Sequence, residues 1–129
     1  MKIKELTLEK AITAGMDESL ADAADRMRFY DIGALPVVDR ERLIGIVTER
    51  DIVRAVADGA RVELTPAADY MTPAPATIGP EADLEHAIAV MAALRVRHLP
   101  VVEAGRLVGM VSLRDVLDAE RGLAGVHTG

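Results

Sequence analysis

Sliding the chain against itself by 64 residues brings 12–57 onto 76–121 without a gap, and 16 of these 46 positions are identical. A match of that length with no insertion constrains the fold more than any single residue does. The chain has to be two copies of one supersecondary unit, neither able to bury its apolar face alone. The identities include Thr13/Thr77, Gly15/Gly79, Leu20/Leu84, Ala23/Ala87, Met27/Met91, Arg42/Arg106 and Gly45/Gly109. The densest run sets Leu35-Pro36-Val37-Val38 against Leu99-Pro100-Val101-Val102, and Arg50-Asp51 recurs as Arg114-Asp115.

Each copy reads as β-α-β-β-α. Ile12-Thr13 and Ala76-Thr77 are short extended stubs. Ser19 and Asp83 suit helix N-caps. Leu20, Ala23, Ala24 and Met27 follow at i, i+3, i+4 and i+7, one apolar helical face, matched by Leu84, Ala87, Ile88, Met91 and Leu94. Pro36 excludes a helix and fits the first residues of a strand, so 35–39 and 99–103 read as strands. Arg40-Glu41 and Ala104-Gly105 are tight turns. The second strands, 43–48 and 107–112, are almost continuously apolar, the pattern of burial on both faces. Second helices follow at about 49–58 and 113–120. The expected organisation is a first repeat over 1–60 with its core at 12–57, a connection over 61–75 and a second repeat over 76–121. Pro66, Pro73 and Pro75 stiffen the connection, 67–71 fits a helical turn within it, and 122–129 reads as a flexible, glycine-rich tail. The fold class is α/β, with two pseudo-symmetric β-α-β-β-α repeats packed sheet to sheet into one module.

Composition excludes several functions. The net charge is −6, from 21 acidic and 15 basic residues, which disfavours nonspecific binding to nucleic acid. Phe29, Tyr30 and Tyr70 are the whole aromatic complement, too few for a base-stacking platform. With no cysteine there is no thiol nucleophile, disulfide or thiolate metal site. His86, His98 and His127 are scattered without metal-ligand spacing, and no nucleophile-base motif or glycine-rich phosphate loop occurs. No apolar stretch reaches the ~18 residues of a membrane span, and Met1–Glu5 has no apolar signal region. The expectation is a cytoplasmic protein that requires no metal or cofactor and catalyses nothing.

The run Gly33-Ala34-Leu35-Pro36-Val37-Val38-Asp39 followed by Leu43-Ile44-Gly45-Ile46-Val47-Thr48-Glu49-Arg50-Asp51 resembles the cystathionine-β-synthase (CBS) domain. The second copy repeats it, from Arg97-His98-Leu99-Pro100-Val101-Val102-Glu103 to Leu107-Val108-Gly109-Met110-Val111-Ser112-Leu113-Arg114-Asp115. The resemblance covers about residues 1–121 and is to the tandem CBS pair, as a stand-alone regulatory protein. It implies an energy-sensing module that binds AMP, ADP, ATP or S-adenosylmethionine in the clefts between repeats. It also implies a homodimer, formed through the helices, that acts on an unidentified regulated protein.

The resemblance assigns the ribose to Thr48-x-x-Asp51 and Ser112-x-x-Asp115. The carboxylate accepts from the ribose hydroxyls and the Thr or Ser hydroxyl faces ribose or phosphate. The same spacing is a capping box, and one residue pair can serve both ends. Arg50 and Arg114 are placed to reach a phosphate or, equally, to be solvated at the helix start. Arg97 and His98 stand where family members place basic phosphate contacts, although a strand histidine with a backbone partner is the alternative for His98. The first copy has the uncharged Gly33 and Ala34 there, so one site should suit phosphates better than the other. An adenine pocket would draw on Ile12, Thr13, Ala14, Ala34 and Pro36, and on Ala76, Thr77, Ile78, His98 and Pro100. Gly45 and Gly109 fit either a close approach or a bulge. The rival reading is an interaction and dimerisation module with no nucleotide ligand.

Overall fold

The computed structural model describes residues 1–6 and 11–122. The chain divides into two compact units, one formed by Ala11–Pro75 and the other by Ala76–Gly129 together with the N-terminal Met1–Lys10. The first unit contains β1 (Ala14–Gly15), α1 (Leu20–Tyr30), β2 (Ala34–Asp39), β3 (Arg42–Thr48), α2 (Glu49–Ala57) and β4 (Thr72–Pro73). The second contains α3 (Leu84–Leu94), β5 (His98–Glu103), β6 (Arg106–Ser112) and α4 (Leu113–Glu120).

The repeat in sequence is a repeat in register. β2 pairs antiparallel with β3 from Ala34↔Thr48 to Asp39↔Arg42, and β5 pairs with β6 through the residues 64 positions on. Even the irregularity recurs, between Val37/Val38 and between Val101/Val102. The extended stubs lie two residues beyond the expected positions. Ala14 pairs parallel with Val37, and Ile78 bridges Val101 in the same way. The hairpins turn on pairs of left-handed residues, Arg40 (φ 50°) with Glu41 (φ 70°) and Ala104 (φ 51°) with Gly105 (φ 80°). Such turns match the right-handed twist of the strands they join.

Helix α1 starts as the sequence dictates, with the Asp22 N–H donating to Ser19 Oγ at 3.1 Å. Asp83 makes no such side-chain cap on α3. The Leu84 N–H donates to the Met1 carbonyl at 3.1 Å, as the Leu20 N–H does to the Thr65 carbonyl at 2.9 Å. The apolar faces go inward, with Leu20, Ala23 and Met27 packed with Leu35, Val37 and Val47, and Leu84, Ala87 and Met91 with Leu99, Val101 and Val111, but Leu94, expected on the same face, is 52% exposed at the end of its helix. The second strands differ from the expectation of burial on both faces. Gly45 and Val47 are buried while Ile44 and Ile46 are half-buried, and Val108 is 45% exposed. One face of each is therefore sealed by helices and the other is only partly covered.

The N-terminal segment, continuous in sequence with the first repeat, packs in the second unit. Ile3 N–H donates to Ala82 O and Lys4 N–H to Pro80 O, both at 2.9 Å, and Lys2 bridges Asp83. Ile3 is fully buried in the core of the second unit. In the first unit the connection does the same work, with Ala67 N–H on Glu18 O at 2.7 Å, Ala68 N–H on Met16 O at 3.1 Å, and Pro66 bridging Ser19. Every one of these pairings is related to its counterpart by the 64-residue period. Residues 1–6 and 65–70 are thus the same element, the first docked on the repeat at 76–121 and the second on the repeat that precedes it in the chain. The 3-10 turn over Ala67–Asp69 is the helical turn expected within 67–71. Of the expected tail, 123–129 lies outside the described residues.

Candidate ligand-binding site

Each repeat assembles its candidate residues at the end of its hairpin. In the first, Ala34 lies opposite Thr48, and the Glu49 N–H donates to Gly33 O at 3.0 Å. This holds the start of β2 against the first turn of α2, which carries Arg50 and Asp51. Ala14, Ala34 and Pro36 are buried, Ile12 and Thr13 half-buried, and Arg50 exposed. In the second repeat His98 lies opposite Ser112, and the Leu113 N–H donates to Arg97 O at 2.8 Å. Ile78 N–H donates to Pro100 O at 3.0 Å. Ile78 and Pro100 are buried and His98 is half-buried, while Ala76, Thr77, Arg97 and Arg114 are exposed.

The two hydroxyl-x-x-carboxylate motifs have the same backbone and different electrostatics. Thr48 and Asp51 form a complete capping box. The Thr48 N–H and hydroxyl donate to Asp51 Oδ2 at 2.9 and 3.1 Å, and the Asp51 N–H returns a bond to Thr48 Oγ1 at 3.3 Å. Arg54 Nη1 donates to Asp51 Oδ1 at 2.8 Å, so both carboxylate oxygens are occupied, and Asp51 is only 4% exposed. In the second repeat the Asp115 N–H donates to Ser112 Oγ at 3.1 Å, which caps α4. The Asp115 carboxylate is exposed and has no hydrogen-bond or ion-pair partner among the described residues. Capping is therefore realised in both repeats, and only in the first does it consume the carboxylate.

The sequence reading missed three residues that shape the first repeat. Arg54 was visible as a cation three residues after Asp51 on one helix face, a spacing at which side chains meet. Its guanidinium also lies 5.9 Å from the centre of the Tyr70 ring, and the Tyr70 hydroxyl donates to Asp58 at 2.8 Å. That bond to Asp58 raises the Tyr70 phenol above its ordinary value. Glu49 was visible as a charge where the second repeat has Leu113. A Cβ on Gly33 would lie 3.4 Å from the Glu49 carboxyl carbon, so an acid stands where Arg97 starts in the other repeat. Arg26 was masked as part of the helix. It pairs with Glu18 and donates to the Thr13 carbonyl at 3.0 Å. Its hydrogen bond with Glu18 lowers that carboxyl below its ordinary value.

Gly45 sits at a close approach. A Cβ there would lie 2.9 Å from Met71 Cγ and 3.0 Å from the Thr72 carbonyl, so the bare backbone admits the strand that follows the connection. Among the described residues no group of three or more His, Asp and Glu side chains gathers to hold a metal ion. No described helix is long and apolar enough to cross a membrane.

The CBS domain family matches residues 3–58 and 67–122, the same boundaries that the exchanged N-terminal segments define. The chain belongs to the CBS domain family and is a tandem CBS pair of mixed α/β architecture. It is 33% identical to an uncharacterised 17.7 kDa protein of Acidianus ambivalens, over 98% of this chain and 76% of that protein. Among solved structures it is similar to the CBS domain protein PAE2072 from Pyrobaculum aerophilum complexed with AMP. That match has a TM-score of 0.86 and 26% identity and covers 100% of both chains. The CBS domain pair of MJ0100, in complex with 5-methylthioadenosine and S-adenosylmethionine, gives a TM-score of 0.85 at 27% identity, over 95% of this chain and 97% of that one. The chain also matches an inosine-5'-monophosphate dehydrogenase of Korarchaeum cryptofilum at 35% identity, but spans only 24% of that enzyme's length.

Proposed function

We propose that this CBS pair is a regulatory module that binds an adenosine-containing ligand, AMP, ADP, ATP or S-adenosylmethionine, and performs no chemistry on it. The observation that carries the reading is the Ser112-x-x-Asp115 motif, whose carboxylate is exposed and has no partner among the described residues. A fixed carboxylate accepts two hydrogen bonds from a vicinal diol, and Arg97, Arg114 and His98 supply donors for a phosphate. Ile78, Pro100 and Thr77 offer an apolar and backbone surface for the base. The AMP and S-adenosylmethionine complexes of similar chains support the ligand class. The module senses cellular energy state or methyl-donor supply in the cytoplasm and transmits it, as a homodimer, to a regulated protein. A second reading, an interaction module without nucleotide, is favoured by Val53 and Val56 on α2, 66% and 61% exposed, beside Leu64, 67% exposed.

A thermal-shift panel of AMP, ADP, ATP and S-adenosylmethionine, with GTP as control, separates the two. A ligand at ~100 times its dissociation constant adds about 2.7 kcal/mol to stability. A shift with an adenosine ligand, lost in Asp115→Ala, supports the sensor. No shift with any of them, with dimerisation intact, supports the interaction module.

A further inference from the structure

The two repeats differ most where their backbones agree best. Arg54 and Arg26 both point their guanidinium groups at acceptors of the first repeat. Arg54 holds Asp51 Oδ1 at 2.8 Å and Arg26 holds the Thr13 carbonyl at 3.0 Å. One period later these arginines are replaced by Asp118 and Val90, neither of which can donate to an acceptor from its side chain at neutral pH.

We propose that Arg54 is a built-in occupant of the first repeat's carboxylate, so that the chain takes up one adenosine-containing ligand, at the motif of the second repeat. The inference rests on the ligand class proposed above and adds which motif is open and what closes the other. A carboxylate accepts at two oxygens. Both oxygens of Asp51 are engaged, Oδ2 by the Thr48 backbone and hydroxyl and Oδ1 by Arg54, while the residue is 4% exposed, which leaves little room for a further donor. A ribose would have to displace a charge-assisted bond from a carboxylate that is itself buried, which costs more than binding an exposed carboxylate, although Arg54 reaches it from a largely exposed position. Arg54 is not loosely held, since its stacking neighbour Tyr70 is fixed by Asp58. Tyr70 comes from the connection between the repeats. The fixture therefore exists on the first repeat alone among the described residues, because the position equivalent to Tyr70 in the segment docked on the second repeat is Leu6, which has neither a ring nor a hydroxyl. Glu49, lying over Gly33, adds an acidic group that repels a phosphate from the same repeat.

Isothermal titration of the full chain with AMP and with adenosine tests this, with S-adenosylmethionine, ADP and ATP as parallel titrants. The expected result is one AMP per chain. Asp115→Ala weakens it at least tenfold, and Asp51→Ala leaves its stoichiometry and affinity within twofold. Arg54→Met keeps the aliphatic stem but removes the donor, and this variant gains a second equivalent of uncharged adenosine. A role for Arg54 in stability alone would lower the melting temperature without adding that equivalent. Two equal AMP sites in the wild type, or a loss on Asp51→Ala that Asp115→Ala does not share, overturns the inference and leaves the ligand class standing. An unchanged stoichiometry in Arg54→Met overturns the role of Arg54. No uptake of any of the five compounds overturns the ligand class and the inference with it.

Discussion

Arg54 donates to Asp51 at 2.8 Å across one turn of α2, and the residue that replaces it one period later is Asp118. A 64-residue repeat that conserves strand register pair for pair has thus inverted the charge beside one of its two motif carboxylates. In the first repeat the carboxylate is part of the folded structure, and in the second it faces solvent.

Stability should separate the two carboxylates. Asp51→Ala removes the reciprocal half of a capping box and strips the Arg54 partner from a buried site, a loss of about 1–2 kcal/mol. Asp115→Ala removes an exposed side chain with no partner among the described residues and should change stability by less than about 0.5 kcal/mol. Urea midpoints of the two variants check this, with equal losses contradicting the asymmetry.

The exchanged N-terminal segment should stabilise the second repeat. Ile3 is fully buried among Leu84, Leu99, Val111 and their neighbours. Ile3→Ala should cost about 2–4 kcal/mol, the range for truncating a buried isoleucine. Hydrogen exchange should then accelerate in β5 and α3 rather than in β2 and α1. Faster exchange confined to the first repeat would contradict the exchange of segments.

The Glu18–Arg26 pair predicts a stability change in acid. The hydrogen bond from Arg26 depresses the folded pKa of Glu18 below its ordinary 4.5, so the unfolded chain binds the proton more readily. The contribution is present in full above that ordinary value and is lost as pH falls through the lowered, folded one. Denaturation of Glu18→Gln between pH 6 and 3 should show a smaller acid loss than the wild type. Identical pH profiles would show that the pair contributes nothing.

The hairpin of the second repeat carries a correctable backbone cost. Ala104 sits at φ 51° before Gly105 at φ 80°, a turn whose preferred sequence is Asn-Gly. Ala104→Asn should stabilise by about 0.5–1 kcal/mol, read as a higher melting temperature. A lower one would mean that the side chain at 104 meets something the turn geometry does not include.

The β-α-β-β-α order was legible because the repeat fixes each element twice. Leu20, Ala23 and Met27 announce the same helix as Leu84, Ala87 and Met91. Residues 1–6 were not recognised as part of the period because they share no identity with 65–70. Their pairing is through backbone N–H and carbonyl groups, which leave little trace in side-chain pattern. The motif residues Thr48, Asp51, Ser112 and Asp115 were singled out by the resemblance to the CBS domain, since the spacing by itself reads equally as a helix cap. What spacing alone could not reveal is that one carboxylate is satisfied internally. That depends on Arg54 being braced by Tyr70, a contact between residues 16 positions apart.

The most direct measurement of ligand binding is a titration of isotopically labelled protein with AMP, followed by the amide resonances of the 13.8 kDa chain. Saturable shifts at Arg97, His98, Ser112, Arg114 and Asp115, with smaller changes at Thr48 and Asp51, are the predicted result. Resonances at 97–98 and 112–115 that stay in place under millimolar AMP, ATP and S-adenosylmethionine would contradict the account.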